Sequence, residues 1–425
     1  MRMYIFKIIV FLAVSFTVQT AYAETLTLKE CLEKADKNHP SLKTALWDSR
    51  ISAENVRLTS ASSFPRIDAQ AAYTMQQSAQ AVVINGVTAE TQEPDFASAG
   101  ISLGYTLYDF GRRNARINQS RLISGAATDR YAAFRSEIGL QVIETFFSIL
   151  ELNRLATAAE EEVKQVEQHR LVAVALYEEG VVTRNDVLQA EVRLAAARQN
   201  LLALNNRREN RWLLLNYQTG MEQSYRVELD ENASVGNSHV SAEALFPVVI
   251  KRNEIQALRK QIKAGEAEVR SSKGAFYPEI FSRLILDYVQ NDKLREETIM
   301  AAVIGIRINL FDGFASTSLR EKAVLARYRA EDELRQAEAA IRLEIATAGN
   351  DLQVSGERIS VNEKAIMQSE ENLRINRERY KERVGTATEV LDAQTLLTQA
   401  RRDYYRALYD YQVAAARLKK ATGEL

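Results

Sequence analysis

The side chains that most often perform catalysis or bind metals are scarce in this chain of 425 residues. It contains one cysteine, Cys31, and three histidines, His39, His169 and His239. A single cysteine excludes a disulfide framework and any metal site built on several thiolates. The sequence also lacks HExxH, CxxC, a Walker loop, GxGxxG and GxSxG, which accompany common enzymatic chemistry. We therefore expect no enzyme, no catalytic residue, no metal and no cofactor.

Two pairs of residues place a carboxylate three positions after a threonine, each beside a short glycine-containing segment. Thr183 is followed by Asp186, and Thr386 is followed by Glu389. This spacing is typical of the capping box, in which the acid satisfies free N–H groups at the start of a helix. Asp392 lies one turn further on and has no capping role. The spacing predicts that a helix begins after each of two short turns.

The overall composition indicates which secondary structure flanks these turns. The 55 Lys and Arg residues nearly balance the 56 Asp and Glu residues, which excludes the basic excess of a nucleic-acid-binding protein. Only 17 residues are Gly and 5 are Pro, and these are the residues that end helices. We therefore expect very long helices.

The N-terminus has the features of a secretory signal peptide. Arg2 and Lys7 precede an apolar run at 8–14, and the segment Ala21-Tyr22-Ala23 fits the small-x-small cleavage pattern. Residues 1–23 are therefore predicted to be removed. No lipobox precedes Cys31, so we expect a protein that works outside the cytoplasm without a lipid anchor.

The rest of the chain reads as two copies of one unit. The segment 176–190 recurs in 379–393, and Leu107-Tyr108-Asp109 recurs as Leu310-Phe311-Asp312, both 203 residues further on. Phe64-Pro65 recurs as Tyr277-Pro278 after 213 residues, so one loop is ten residues shorter in the second copy. We predict a first repeat at 24–220, a polar linker at 221–243 that forms an equatorial region, and a second repeat at 244–425.

Each repeat is predicted to contain a helix (28–63; 244–275), a β-hairpin, a long helix and a helical hairpin. At ~1.5 Å per residue, the proline-free segment 314–380 would reach about 100 Å. In the last helix the apolar residues recur every 3.5 positions, which predicts a left-handed coiled coil. They are Ala393, Leu397, Ala400, Tyr404, Ala407, Tyr411, Ala414, Leu418 and Ala421. In the preceding helix a stripe from Leu319 to Leu352 recurs every 3.67 positions. Independent amphipathic helices in a bundle would explain the stripes but not the lengths.

The predicted β-hairpins lie at about 66–110 and 279–312. In both, apolar and polar residues alternate, as at 67–75, 101–108, 283–288 and 302–310, within segments of about nine to eleven residues. This is the length of a tilted transmembrane strand with one lipid face and one wet face. A sheet of four such strands has two edges, and lipid offers no hydrogen-bond partner to the N–H and C=O groups there. The chain must therefore oligomerise. A dimer would supply eight strands and a trimer twelve.

Together these features resemble the TolC-like outer-membrane efflux proteins, over essentially the whole mature chain. The resemblance rests on the duplicated order of elements, Pro65 and Pro278, the Asp/Gly pairs after each β-hairpin, and Tyr380 followed by Val390-Leu391-Asp392-Ala393. It implies a homotrimer in the outer membrane of a Gram-negative bacterium, with a 12-stranded β-barrel continued by a 12-helix periplasmic α-barrel. It also implies a periplasmic adaptor (a membrane fusion protein) and an inner-membrane transporter of the RND, ABC or MFS type as partners.

The resemblance further implies a gate at the periplasmic ends of the helical hairpins. By position the gate residues are Asp186, Tyr380, Glu389 and Asp392. The adaptor would dock at the tips, formed by Gly180, Val181, Val182, Val384, Gly385 and Thr386. For Asp186 and Glu389 the sequence allows either role, helix cap or gate residue, and both can hold. Three copies of each carboxylate around a narrow axis would attract cations.

The tips depart from the family pattern at two positions. Arg383 stands where the family often has Gly, and Gly385 stands where a gate-linking Arg is expected. Arg383 or Arg184 could replace that arginine.

The expected function is a passive exit duct of a tripartite efflux or type I secretion system, for small molecules or polypeptides. The alternative is a non-channel periplasmic coiled-coil scaffold or adaptor.

Overall fold

The computed structural model describes residues 25–236, 249–293 and 295–425. The predicted signal peptide at 1–23 lies outside the described residues, as do positions 237–248, which include the end of the predicted linker. The first half contains α1, α2, a sheet region with β1 to β4, and then α3 and α4. Their bounds are α1 Leu28–Asn38, α2 Pro40–Ala61, β1 Arg66–Met75, β2 Ala81–Ile84, β3 Val87–Glu90, β4 Asp95–Tyr108, α3 Arg112–Glu178 and α4 Arg184–Thr219.

The second half follows with a similar order of elements. Its bounds are α5 Asn253–Lys273, β5 Glu279–Val289, β6 Thr298–Arg307, α6 Ala315–Lys381 and α7 Ala387–Thr422. α3 and α6 each have 67 residues, and α4 and α7 each have 36. A helix of 67 residues is about 100 Å long, which confirms the predicted length. Across the described residues, no helix is both long enough and apolar enough to cross a bilayer.

The predicted first helix at 28–63 is wrong in one respect, because it is divided at His39. Pro40 lacks an N–H group and disfavours a helical conformation in the residue before it. His39 accordingly adopts φ −56° and ψ 123°, and Pro40 is the first residue of α2. The change of direction lets α1 pack against α3 and α4 while α2 runs along α3 toward the sheet.

The aspartates after the β-hairpins start the long helices. The Asp109 carboxylate accepts hydrogen bonds from the N–H groups of Arg113 at 2.7 Å and Gly111 at 3.2 Å. The Asp312 carboxylate likewise accepts from the N–H of Ser316 at 3.0 Å. These bonds satisfy N–H groups that the first turn of a helix leaves free. Each strand can therefore turn directly into a helix.

The helices pack mainly in pairs, α3 with α4 and α6 with α7. The predicted stripe of α7 is confirmed: seven of its nine members are buried, and Tyr404 and Tyr411 are half-buried. The stripe predicted in α6 is only partly buried, because Leu319 and Ala326 are exposed. Within the described chain α7 covers the later part of α6, whereas the beginning of α6 is flanked by α5.

The four main strands form one antiparallel sheet in the order β1-β4-β5-β6. The pairing of β4 with β5 joins the two halves of the chain, and it runs from Ser98 opposite Val289 to Tyr108 opposite Ile280. β6 ends at Arg307, which pairs with Glu279, the first residue of β5. The predicted strand at 302–310 is therefore three residues too long, because β5 begins at Glu279 and no other described strand pairs with residues 308–310.

A second β-hairpin occupies the segment predicted to be a loop between β1 and β4. β2 and β3 pair antiparallel, with Ile84 opposite Val87. Asn85 and Gly86 connect them with φ values of 51° and 78°. Two positive φ angles define the type I′ turn that favours Asn-Gly. This extra hairpin accounts for the longer loop of the first half.

The described part of the linker packs against the middle of the long helices. Asn216 of α4 donates hydrogen bonds to the carbonyls of Glu222, Gln223 and Tyr225 at 2.9–3.1 Å. Leu229 then pairs with Leu26 in an isolated bridge. Both leucines belong to the largest buried cluster, which is centred on residues of α3 and α4. Those residues include Ile143, Phe146, Phe147, Trp212 and Leu215.

Candidate functional site: the helical tips

The two turns that connect α3 to α4 and α6 to α7 have the same backbone geometry. In the first, Gly180 has φ 73° and the N–H of Val181 donates to the carbonyl of Leu176 at 2.8 Å. In the second, Arg383 has φ 63° and Val384 donates to Arg379 at 2.9 Å. A positive φ costs glycine little, but a residue with a Cβ is strained there. Arg383 is thus held in a conformation that its position would normally reserve for glycine.

Gly385 lies in a crowded position. A Cβ atom at this residue would lie 3.1 Å from the Cβ of Arg379 and 3.2 Å from an Oε atom of Glu389. The guanidinium of Arg379 is 3.8 Å from the Glu389 carboxylate. Within the described part of the chain, the arginine that reaches this predicted gate acid is Arg379. Arg184 and Arg383 lie at exposed positions of the turns, and their role in place of the expected arginine stays a prediction.

Two of the predicted gate residues act as helix caps. The Asp186 carboxylate accepts from the N–H of Thr183 at 2.9 Å and from its hydroxyl at 2.8 Å. The Glu389 carboxylate accepts from the N–H of Thr386 at 2.9 Å, and Glu389 donates its own N–H to the Thr386 hydroxyl at 3.2 Å. The predicted capping boxes are confirmed. A carboxylate has further lone pairs, so capping leaves both acids able to bind another group.

Tyr380 is buried between the two helical hairpins. It belongs to a cluster with Leu373, Val390 and Leu397, and its ring centre lies 5.5 Å from that of His169 on α3. The Tyr380 hydroxyl and Nε2 of His169 are both buried without a hydrogen-bond partner among the described residues. Burial raises the pKa of Tyr380, and the negative charge of Asp186 raises it further. Asp186 and Tyr380 are therefore within electrostatic reach of each other.

A cavity of about 330 Å³ opens beside Tyr380, between α3, α6 and α7. The guanidinium of Arg377 on α6 crosses it and donates to Gln165 of α3 at 3.2 Å and Gln394 of α7 at 3.1 Å. Lys164 and Lys381 also contribute to its walls. At the tips the two helical hairpins thus meet both through the packing of Tyr380 against His169 and through the hydrogen bond from Arg377 to Gln165.

Asp392 is placed differently from the other predicted gate residues. It is exposed, and it lines a groove between α4 and α7 together with Leu188 and Thr388. At the same groove Arg193 of α4 donates to the hydroxyl of Thr395 on α7. The structure thus brings Tyr380 near Asp186 and Glu389 near Arg379, while Asp392 is left open to solvent.

Further contacts join the two hairpins above the tips. Arg401 of α7 pairs with Glu161 of α3 at 2.7 Å and with Glu370 of α6 at 2.9 Å. Arg193 pairs with the buried Glu162 at 3.6 Å, and burial raises the pKa of that carboxyl. His169, Arg193, Arg377, Arg379 and Arg401 were not identified from the sequence. Nothing in their local spacing marks them, because each acts on a residue of another element or across a turn.

The predicted docking tips are the outermost part of this region. Val181 and Val384 are 40% and 69% exposed, and Gly180 and Thr386 are exposed as well. Val182 and Gly385 are half-buried. The tips thus present small and apolar residues to solvent.

Proteins of known sequence or structure resemble the chain over most of its length. Outer membrane protein TolC of Vibrio cholerae serotype O1 is 22% identical over 94% of this chain and 91% of its own length. Outer membrane efflux protein BepC of Brucella suis biovar 1 is 24% identical over 96% and 87%. The crystal structure of the Campylobacter jejuni CmeC outer membrane channel has a TM-score of 0.84 at 16% identity, covering 93% of this chain and 85% of that one.

The model of one protein family, described as outer membrane efflux protein, matches residues 31–220 and 248–424. The resemblance predicted from the sequence is thereby confirmed, with its outer-membrane location and its role in efflux. The match favours that role over a periplasmic coiled-coil scaffold and is to a transport family rather than an enzyme family. The chain belongs to the outer membrane efflux protein family.

Proposed function

We propose that three copies of the chain form one outer-membrane duct. The observation that carries this proposal is the open four-stranded sheet, whose edge strands β1 and β6 have no further partner among the described strands. In a bilayer such edges would leave N–H and C=O groups unsatisfied, so the sheet must close through other copies. Three copies supply twelve strands, which is an allowed barrel size.

The helices support the same assembly. Apolar side chains lie exposed along α2, α4 and α6, at spacings that put them on stripes. They include Trp47, Ile51 and Leu58 on α2, Leu188 and Val192 on α4, and Leu343, Val354 and Val361 on α6. Contiguous apolar stripes on a surface mark contacts with other molecules. Neighbouring copies would cover them, and the α3, α4, α6 and α7 helices of three copies would form a tunnel of twelve helices.

The tunnel is gated at the helical tips. Asp186, Glu389 and Asp392, repeated three times around the axis, form an acidic ring that attracts cations. Tyr380 anchors the second hairpin to the first and keeps the tips close together. The exposed tips, from Gly180 to Val182 and from Val384 to Thr386, dock the adaptor. An inner-membrane transporter of the RND, ABC or MFS type supplies the energy.

The substrate is either a small molecule or a polypeptide. A wide duct selects weakly, so the attached transporter determines which is exported. One relative, outer membrane efflux protein BepC, is named for efflux, and its name states no substrate class. Deleting the gene and measuring both drug susceptibility and the secreted proteins of the culture would separate these two substrate classes.

The assembly is tested by native mass spectrometry of the detergent-extracted protein, followed by reconstitution into liposomes. Three copies per particle and release of a trapped small dye are expected. A particle of one or two copies that does not insert would overturn the proposal. A variant with Tyr73→Pro in β1 is a control, because proline removes a ladder N–H from an edge strand that must pair with a neighbour. It should lower the yield of the trimer.

A further inference from the structure

The β2–β3 hairpin has one apolar face that its own chain leaves uncovered. The register pairs Val82 with Ala89 and Ile84 with Val87, so these four side chains share one face. Val82, Ile84 and Val87 are 46%, 63% and 68% exposed. A two-stranded hairpin is at best marginally stable alone in water. The uncovered face therefore requires a partner.

The opposite face of the hairpin is mixed: Val83 on it is 70% exposed, while Glu90 connects the base of the hairpin to the rest of the chain. Glu90 lies on that face, and its carboxylate pairs with Nζ of Lys293 in the β5–β6 turn at 2.5 Å. Lys293 also pairs with Glu93 at 3.1 Å. Next to them Nδ2 of the buried Asn291 donates to the carbonyl of Thr91 at 2.9 Å. These bonds fix the base of the hairpin against the β5–β6 turn.

The place of the hairpin indicates what covers this face. It connects β1 with β4 at the end of the sheet that is opposite to the helices, and β1 is an edge strand that a neighbouring copy must pair. The hairpin therefore stands at the boundary between copies. Strands of about ten residues already span the hydrocarbon layer. The charged residues Glu90, Glu93 and Lys293 at its base lie beyond that layer, which argues against lipid as the partner.

We propose that the apolar face of the β2–β3 hairpin packs against the hairpins of neighbouring copies and closes the outer mouth of the duct. The occupant is a second copy of the same chain, and the inference rests on the proposed trimer. Three identical apolar faces around one axis form a hydrophobic constriction, which restricts the flow of water and ions. The duct would then have a second barrier, independent of the helical tips.

The test combines cross-linking with conductance. In a Cys31→Ala background, Ile84→Cys should give covalent dimers with a short bis-maleimide, whereas Thr88→Cys on the opposite face should not. The double variant Ile84→Asn/Val87→Asn should raise single-channel conductance on the order of two-fold or more. Val83→Asn on the other face is the matched control and should leave conductance unchanged.

Other outcomes separate the two proposals. A trimer by native mass spectrometry, with neither Ile84→Cys dimers nor a change in conductance, would overturn the hairpin contact and keep the duct. If native mass spectrometry of the wild-type protein shows no trimer, both the duct and the hairpin contact are overturned. Quenching of an Ile84→Trp fluorophore by brominated lipid would show that lipid covers the face and would also refute the contact.

Discussion

The imidazole ring of His169 and the phenol ring of Tyr380 pack against each other, with their centres 5.5 Å apart and their planes inclined by 49°. His169 belongs to the first helical hairpin and Tyr380 to the second. Nε2 of His169 and the hydroxyl of Tyr380 are both buried without a hydrogen-bond partner among the described residues. The contact therefore joins the hairpins through packing alone, and a charge placed within it would be costly.

Acidification should loosen the tips through His169. Burial lowers the pKa of His169, the positive charge of Arg377 lowers it further, and Asp186 opposes them. Because the unfolded side chain, with a pKa of 6.5, binds the proton more readily, the packing is fully stable above that value and weakens as the pH falls below it. Single-channel recordings from about pH 7.5 to about pH 5.5 should show rising open probability.

His169→Gln should remove most of this pH response. The matched control is His39→Asn, which removes another buried histidine far from the tips and retains an acceptor for the N–H of Ser41. That control should respond to pH as the wild type does. If His169→Gln retains the full response, the coupling between this imidazole and the gate is refuted.

Arg383→Gly should stabilise the α6–α7 turn. Glycine removes the strain of a side chain at φ 63°, and the gain is about 1 kcal/mol after its own entropic cost. Hydrogen exchange of the amides in this turn should slow about five-fold. Gly180→Ala, at the equivalent position of the first turn, should act in the opposite direction. Unchanged exchange in both variants would contradict the assignment of strain.

Arg401→Gln should favour separation of the two hairpins. Its two ion pairs reach α3 and α6, and each partly exposed pair contributes up to about 1 kcal/mol. The open probability of the duct should rise a few-fold. Arg374→Gln is the control, because among the described residues Arg374 pairs only with Glu371 and Glu378 of its own helix. An equal effect of both variants would show that the bridge between hairpins has no special role.

Asp392→Asn should reduce the preference of the duct for cations. Asp392 is exposed and has no capping role, so the substitution removes charge with little effect on folding. Glu389→Gln should add to the effect, and glutamine can still complete the capping box. The reversal potential in a salt gradient measures both. Glu378→Gln is the control, because it removes an acid that is paired within α6. Its reversal potential should equal that of the wild type.

Local sequence signals predicted much of the fold. The alternation of apolar and polar residues predicted β1, β4, β5 and β6, and Thr183 and Thr386 marked the starts of α4 and α7 correctly. The β2–β3 hairpin was missed although Asn85-Gly86 lies between apolar residues, which is a strong signal for a hairpin. The end of β6 depends on where β5 begins, and no local pattern contains that information.

The site was less accessible from the sequence. The resemblance identified Tyr380 and the three acids, but not what surrounds them. The contact of His169 with Tyr380 joins residues that are 211 positions apart (380 minus 169). Arg379 reaches Glu389 only because the turn folds back on itself. Such pairs depend on how α3, α6 and α7 pack, and periodicity describes the face of each helix but not its partner.

The most direct test of a gated duct is the single-channel conductance of the detergent-extracted mature protein in a planar bilayer, with divalent cations added to each side in turn. The account predicts small, long-lived, cation-preferring openings that divalent cations block from one side only. Protein that stays monomeric and soluble without detergent, and never inserts into the bilayer, would contradict it.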